Sequence, residues 1–345
     1  CWSLTGKAGE SVSLYQGVKA AIGTNGTVAY AKGSDLVADS LLETKLNGTM
    51  GFVIPGMPVK KVHDRSADEM LMEAIDLAES SDIVIAALGE NANMNGEGAS
   101  RSVPDIPEPQ ARLLRRLVAT GKPVVLVIFT GRPLILSWED ENVPAILNAW
   151  FPGSEAGTSI AGILFGDVNP SGKLTTTFPR NTGQIPLFYN HKNTGRPYGE
   201  NETYARFRRN YIDVINSPLY PFGYGLSYTS FEYGDIALSA PEMTTGGKVT
   251  ARIKVTNSGP MDGKEIVQLY IRDVVSASTR PVKELKAFRK IFLKAGESID
   301  VTFELTADDL KYYNHDLDYV CEPGDFEIMI GPNSRDIKAA KFTLK

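Results

Sequence analysis

The residues best suited to chemistry lie in one stretch, Gly89-Glu90-Asn91-Ala92-Asn93-Met94-Asn95-Gly96-Glu97-Gly98-Ala99-Ser100-Arg101-Ser102. Two carboxylates, Glu90 and Glu97, stand seven residues apart in polar sequence made flexible by Gly89, Gly96 and Gly98. A carboxylate on such a loop can be offered to a ligand held by another domain and move a proton there. Arg101 can position that ligand, or keep a neighbouring carboxylate ionised between turnovers. Each residue also has a plainer reading. Glu90 directly follows an apolar run and can simply accept backbone N–H bonds at the loop entrance. Arg101 can be a solvated surface cation.

Other chemistries find no support in the sequence. No Gly-x-Gly-x-x-Gly or phosphate loop occurs, and Gly153-Ser154-Glu155-Ala156-Gly157 departs from a nucleophile elbow, so Ser154 reads better as a helix cap. His63, His191 and His315 are too scattered to outline a metal site. The two cysteines, Cys1 and Cys321, allow one disulfide but no framework. A formal net charge of -5 argues against nucleic acid as the main partner. The chain lacks an apolar run of 18 or more residues, so no membrane span is expected.

The elements that must carry the loop are legible in the periodicity. Ser66-Ala67-Asp68-Glu69 is a capping box opening a helix with Met70, Leu71, Ala74, Ile75 and Ala78 on one stripe. The run from Ile83 to Leu88 is apolar on both faces, as in a buried parallel strand. A helix over 110–119, a second strand over 124–129, a third over 145–150 and a helix carrying Ile160 and Ile163 continue the alternation, which predicts an open α/β sheet. Ligands of such sheets sit beyond the carboxyl ends of the strands, where the Glu90–Glu97 loop begins. After about Phe231 the period becomes two, over 249–255, 266–271, 299–305 and 326–330, with polar turns between. That pattern predicts an immunoglobulin-like or fibronectin-type sandwich without helices. The expected division is therefore an α/β domain over 1–231, including wrapping loops over 178–230, and a β-sandwich over 232–345.

Several motifs then occur in order. Ser81-Asp82-Ile83-Val84-Ile85-Ala86-Ala87-Leu88-Gly89-Glu90 and Gly96-Glu97-Gly98-Ala99-Ser100-Arg101 are followed by Gly131-Arg132-Pro133-Leu134 and by Trp150-Phe151-Pro152-Gly153-Ser154-Glu155-Ala156-Gly157. Asn193-Thr194-Gly195-Arg196-Pro197-Tyr198, Tyr220-Pro221-Phe222-Gly223-Tyr224-Gly225 and Arg280-Pro281-Val282-Lys283-Glu284-Leu285 come after them. Together they resemble the C-terminal part of family 3 glycoside hydrolases, of the bacterial periplasmic β-glucosidase type. The resemblance implies a retaining exo-β-glucosidase built from a (β/α)₈ barrel, an α/β sandwich and a fibronectin type III-like domain. In such enzymes a barrel Asp attacks the anomeric carbon, and a Glu on the sandwich loop serves as acid and then base, about 5–5.5 Å away. On this chain that Glu is Glu97, with Glu90 the runner-up; Ser100, Arg101 and Trp150 are candidate substrate contacts, Trp150 being open to a core role as well.

No barrel is found within the chain, which begins at Cys1-Trp2-Ser3-Leu4 as if at a cut or processed end. The resemblance therefore implies that the chain alone is inactive and that its main partner is an N-terminal barrel. The substrate would be a β-linked gluco-oligosaccharide or aryl glucoside, the location periplasmic or secreted, and no cofactor or metal is called for. Surface left by the barrel suggests a disordered loop near 90–102 and allows a homodimer. β-Xylosidase or exo-β-glucanase activity, or a non-catalytic carbohydrate-binding or scaffolding module, are the competing readings.

Overall fold

The computed structural model describes residues 7–47, 65–197 and 204–345. They fall into two compact units, one of Cys1–Val168 with Pro179–Gly183, the other of Asn169–Phe178 with Gln184–Lys345.

In the first unit, α1 (Leu14–Ile22), α2 (Ser40–Asn47) and α3 (Ala67–Glu79) lead into β1 (Val84–Gly89). Then follow α4 (Glu108–Val118), β2 (Val124–Phe129), α5 (Ser137–Asn142), β3 (Ala145–Asn148) and α6 (Ala156–Leu164). The three strands form a parallel sheet in the order β1-β2-β3, each pair joined by the helical crossover that parallel pairing requires. β2, central and mostly buried, carries Leu126, Val127 and Ile128 at 0% exposure. The capping box at Ser66 and Glu69 is formed, and the five expected apolar positions of α3 are its buried residues. Helices α1 and α6 meet at Gly17 and Gly157: a Cβ on Gly17 would lie 2.1 Å from the Gly157 carbonyl oxygen.

Three expectations for this unit need correction. Among the described residues β1 is an edge strand that begins at Val84, and Ile83 before it and Ala87 on it are exposed rather than buried. β3 ends at Asn148, two residues early, because Trp150 takes a left-handed φ of 53° that breaks the strand. Ser154 does not cap α6; Glu155 holds the cap position without a side-chain bond, and the Ser154 carbonyl accepts from the Val12 N–H instead.

The second unit is a two-sheet sandwich. Its strands are β4 (Phe231–Tyr233), β5 (Ala237–Leu238), β6 (Glu242–Met243), β7 (Lys248–Asn257), β8 (Gly263–Asp273), β9 (Glu284–Leu293) and β10 (Ser298–Thr306). After α7 (Ala307–Leu310) come β11 (Tyr312–Tyr313), β12 (Tyr319–Val320), β13 (Gly324–Gly331) and β14 (Lys338–Leu344). One sheet runs β10-β7-β4 with β5 beside β7; the other runs β6-β14-β13-β8-β9. Alternate residues of β7, Val249, Ala251, Ile253 and Val255, enter one core with Leu269, Phe303, Phe326 and Ile328, as period-two strands require. The helix-free expectation fails at α7, a four-residue turn opened by a capping box of Thr306 and Asp309.

The irregular segment over 184–230 packs with this sandwich. Gln268 on β8 donates to the Gly223 carbonyl at 3.2 Å and to the Pro332 carbonyl at 2.5 Å, and the Ser334 N–H donates to the Phe222 carbonyl at 2.9 Å. Phe222 stacks on Tyr189 at 4.4 Å, and Tyr189 meets the buried Tyr270 edge-on. Tyr220 stacks on Tyr224 and leans on Phe178. These aromatics thus serve packing within the second unit.

Candidate active site

Glu90 and Arg132 leave the sheet at adjacent strand ends. Glu90 follows β1; Thr130-Gly131-Arg132 follows β2. The Glu90 N–H still donates to the Phe129 carbonyl at 2.7 Å, extending the pairing by one residue. Gly89 carries a φ of 130°, and a Cβ there would lie 2.0 Å from the Phe129 carbonyl oxygen, so only glycine fits the exit. Buried Gln110 on α4 locks that exit: its side-chain oxygen accepts from the Gly89 N–H at 2.7 Å and its amide donates to the Gly89 carbonyl at 2.9 Å.

The Glu90 side chain is fully buried. Its carboxylate accepts from Arg101 Nη1 at 3.0 Å and from Arg132 Nε at 3.2 Å, and Thr130 Oγ1 stands 2.9 Å away. Arg101 also donates to the Asp105 carbonyl at 2.6 Å and to its carboxylate at 3.2 Å. Two cations and two anions thus offset one another in one place, which lowers the cost of burying charge there. Neither plain reading survives: Glu90 accepts from side chains rather than from loop N–H groups, and Arg101 is a half-buried ion-pair partner rather than a solvated cation.

Glu97 differs in every respect. It sits exposed at the tip of the turn from Asn95 to Ala99, between Gly96 at φ 102° and Gly98 at φ 72°. The ends of that turn are tied down. Arg132 Nη2 donates to the Met94 carbonyl and, at 2.8 Å, to the Ala99 carbonyl. Asn95 Oδ1 accepts from the Gly131 N–H at 3.1 Å, and Asn91 closes the 3-10 turn Ala92–Met94 as its cap. The loop expected to be disordered is thereby anchored along both sides. Ser100 is exposed next to it, and Trp150 is half-buried with its neighbour Phe151 lying against Gly131.

The sequence reading missed Arg132, Thr130, Asn95 and Gln110. For Arg132 a signal existed, since Gly131-Arg132-Pro133 follows the second strand at the sheet edge where ligands gather. Gln110 offered none, because its partner is backbone 21 residues away. Among the described residues no group of three or more His, Cys, Asp or Glu could hold a metal ion, and no helix is long and apolar enough to cross a membrane. Cys321 forms no disulfide among the described residues; Cys1, its suggested partner, lies outside them.

Comparison with known proteins shows what the chain is similar to. Residues 1–228 match the glycosyl hydrolase family 3 C-terminal domain, and residues 265–334 a fibronectin type III-like domain. A periplasmic β-glucosidase of Salmonella typhimurium is 44% identical over 99% of this chain, and a β-xylosidase of Formosa agariphila is 37% identical over 97%. The chain spans less than half of those relatives, 44% and 42% of their lengths. A crystallised β-glucosidase from Listeria innocua, in complex with isofagomine, superposes with a TM-score of 0.85 at 34% identity, over 99% of this chain and 43% of that one. With the α/β domain and the sandwich both matched in order, the chain belongs to glycosyl hydrolase family 3 and carries that family's C-terminal domain followed by its fibronectin type III-like domain.

Proposed function

We propose that this chain supplies the general acid/base of a retaining, exo-acting β-glucosidase that removes terminal non-reducing β-D-glucosyl residues, and that the residue is Glu97. The observation that carries the proposal is the division of labour between the two carboxylates. Glu90 is enclosed by two guanidiniums and a hydroxyl, so no substrate oxygen can reach it. Glu97 is exposed on a turn anchored at both ends. In the reaction Glu97 would protonate the glycosidic oxygen as the nucleophile attacks the anomeric carbon. It would then take a proton from the water that hydrolyses the glycosyl-enzyme.

The nucleophile is assigned to an Asp on a (β/α)₈ barrel, the chain's main partner, and none of this chain's carboxylates is given that role. Ser100, exposed next to the turn, and Trp150, half-buried just after β3, are retained as substrate contacts. Arg101 turns its guanidinium to Glu90 and Asp105, which favours a supporting role over direct contact. The relative named a periplasmic β-glucosidase supports a periplasmic or secreted location. The relative named a β-xylosidase supports a second reading, hydrolysis of β-xylosides, and kcat/KM for 4-nitrophenyl β-glucoside against the β-xyloside decides between them. Titration calorimetry of the isolated chain with gluco-oligosaccharides tests the third: tight binding without turnover by the full-length protein would favour a carbohydrate-binding module.

The deciding experiment compares wild type and Glu97→Gln in the full-length protein. Losing the acid/base should lower kcat/KM for cellobiose on the order of 10²–10⁴-fold. An undiminished rate would remove Glu97 from the role. The chain alone should show no turnover, and purified turnover abolished by Glu97→Gln would refute the need for a barrel nucleophile.

A further inference from the structure

We propose that Arg132 is a positioning residue for the acid/base: a single guanidinium holds both ends of the turn that presents Glu97. The inference rests on the reading of Glu97 given above. One nitrogen, Nη2, donates both to the Met94 carbonyl and to the Ala99 carbonyl. Only Asn95, Gly96, Glu97 and Gly98 lie between those carbonyls. Nε faces Glu90 at 3.2 Å and Asn95 Oδ1 at 3.3 Å. The guanidinium is therefore aligned by a buried anion through Nε and holds the turn through Nη2.

The turn needs such a brace. Its two glycines carry positive φ, and glycine has little intrinsic preference for one backbone geometry. No Cβ contact would restrain Gly98, since nothing lies within 4 Å of that position. A proton donor must sit within hydrogen-bond reach of the leaving oxygen, and a misplacement of about 1 Å can cost about 10²-fold. Arg132 is itself well fixed. Its N–H donates to Thr130 Oγ1 at 3.2 Å, Pro133 stiffens the residue that follows, and its side chain is 21% exposed. Lysine cannot replace it: a single ammonium nitrogen on a flexible stem cannot meet the Glu90 carboxylate and the two carbonyls together, as Nε and Nη2 of the planar guanidinium do.

Leaving-group dependence separates positioning from general fold support. Arg132→Lys and Arg132→Ala, made in the full-length protein, should lower kcat/KM for cellobiose about 10²-fold. They should leave 2,4-dinitrophenyl β-glucoside near wild type, because that leaving group departs without a proton. Amide hydrogen exchange should quicken over 95–99 while strand β2 stays protected. Equal losses on both substrates, unchanged exchange over 95–99, or failure of both variants to fold would overturn the proposal by assigning Arg132 to the fold alone. Glu97→Gln is run beside them. If it also lost both substrates equally, the acid/base reading itself would fall, an outcome distinct from failure of the Arg132 variants alone.

Discussion

Glu90 and Glu97 are the same residue type seven positions apart, yet one is fully enclosed and the other exposed. Burial is tolerable for Glu90 because Arg101 and Arg132 approach it from two sides. Removing its charge would leave Arg132 without an anionic partner and Arg101 with Asp105 alone, on side chains only 21% and 18% exposed. Glu90→Gln should therefore destabilise the chain by about 3 kcal/mol, the lower end for breaking a buried pair. The exposed Glu97→Gln change should cost no more than about 0.5 kcal/mol. Urea unfolding of the two variants side by side checks this, and equal stabilities would mean that Glu90 is not the keystone of the loop.

At the level of elements, the loop's register depends on how β1 ends. Pairing with β2 runs on to the Glu90 N–H, while the Gly89 N–H and C=O are met by a side chain from α4. Gln110→Ala would leave a buried N–H and a buried C=O without partners, each costing about 1–3 kcal/mol. A stability loss of about 2 kcal/mol or more is expected, with faster hydrogen exchange at the Gly89 amide; unchanged exchange would show that another group satisfies it. The elements that sequence periodicity made legible are those whose signal is local. The capping box of α3 and the alternation of β7 are of this kind. β9 was not recognised as a strand because its Lys and Arg residues hide the alternation, and its outward face is half-exposed. The exposure of β1 was equally illegible, since position within a sheet depends on which strands pair, not on composition.

For the whole molecule, stability should carry a pH dependence that ion pairing does not explain. Glu139 on α5 is buried at 6% exposure. Burial raises its carboxyl above the ordinary 4.5, with its own backbone N–H and Arg115 opposing and Asp105 reinforcing the rise. The folded state therefore binds this proton more tightly than the unfolded state. The associated stability is full below pH 4.5 and is lost as pH rises through the raised value. Buried Glu265 on β8 is shifted the same way, burial outweighing Lys173 at 3.0 Å. Glu139→Gln should flatten the decline in Tm on the alkaline side of pH 4.5 relative to wild type. Parallel curves for the two proteins would show that Glu139 ionises in the folded state as easily as in the unfolded chain.

The sequence by itself determined the two fold classes, the family resemblance and the presence of a Glu-bearing loop at the sheet's carboxyl edge. Each of these is written in local periodicity or in contiguous motifs. Only the tertiary structure decided which carboxylate is enclosed and which is presented. That choice depends on Arg101, Thr130 and Arg132 converging on Glu90 from positions 11 to 42 residues away. Charge balance in a buried site is a property of the assembled neighbourhood, and no spacing along the chain records it.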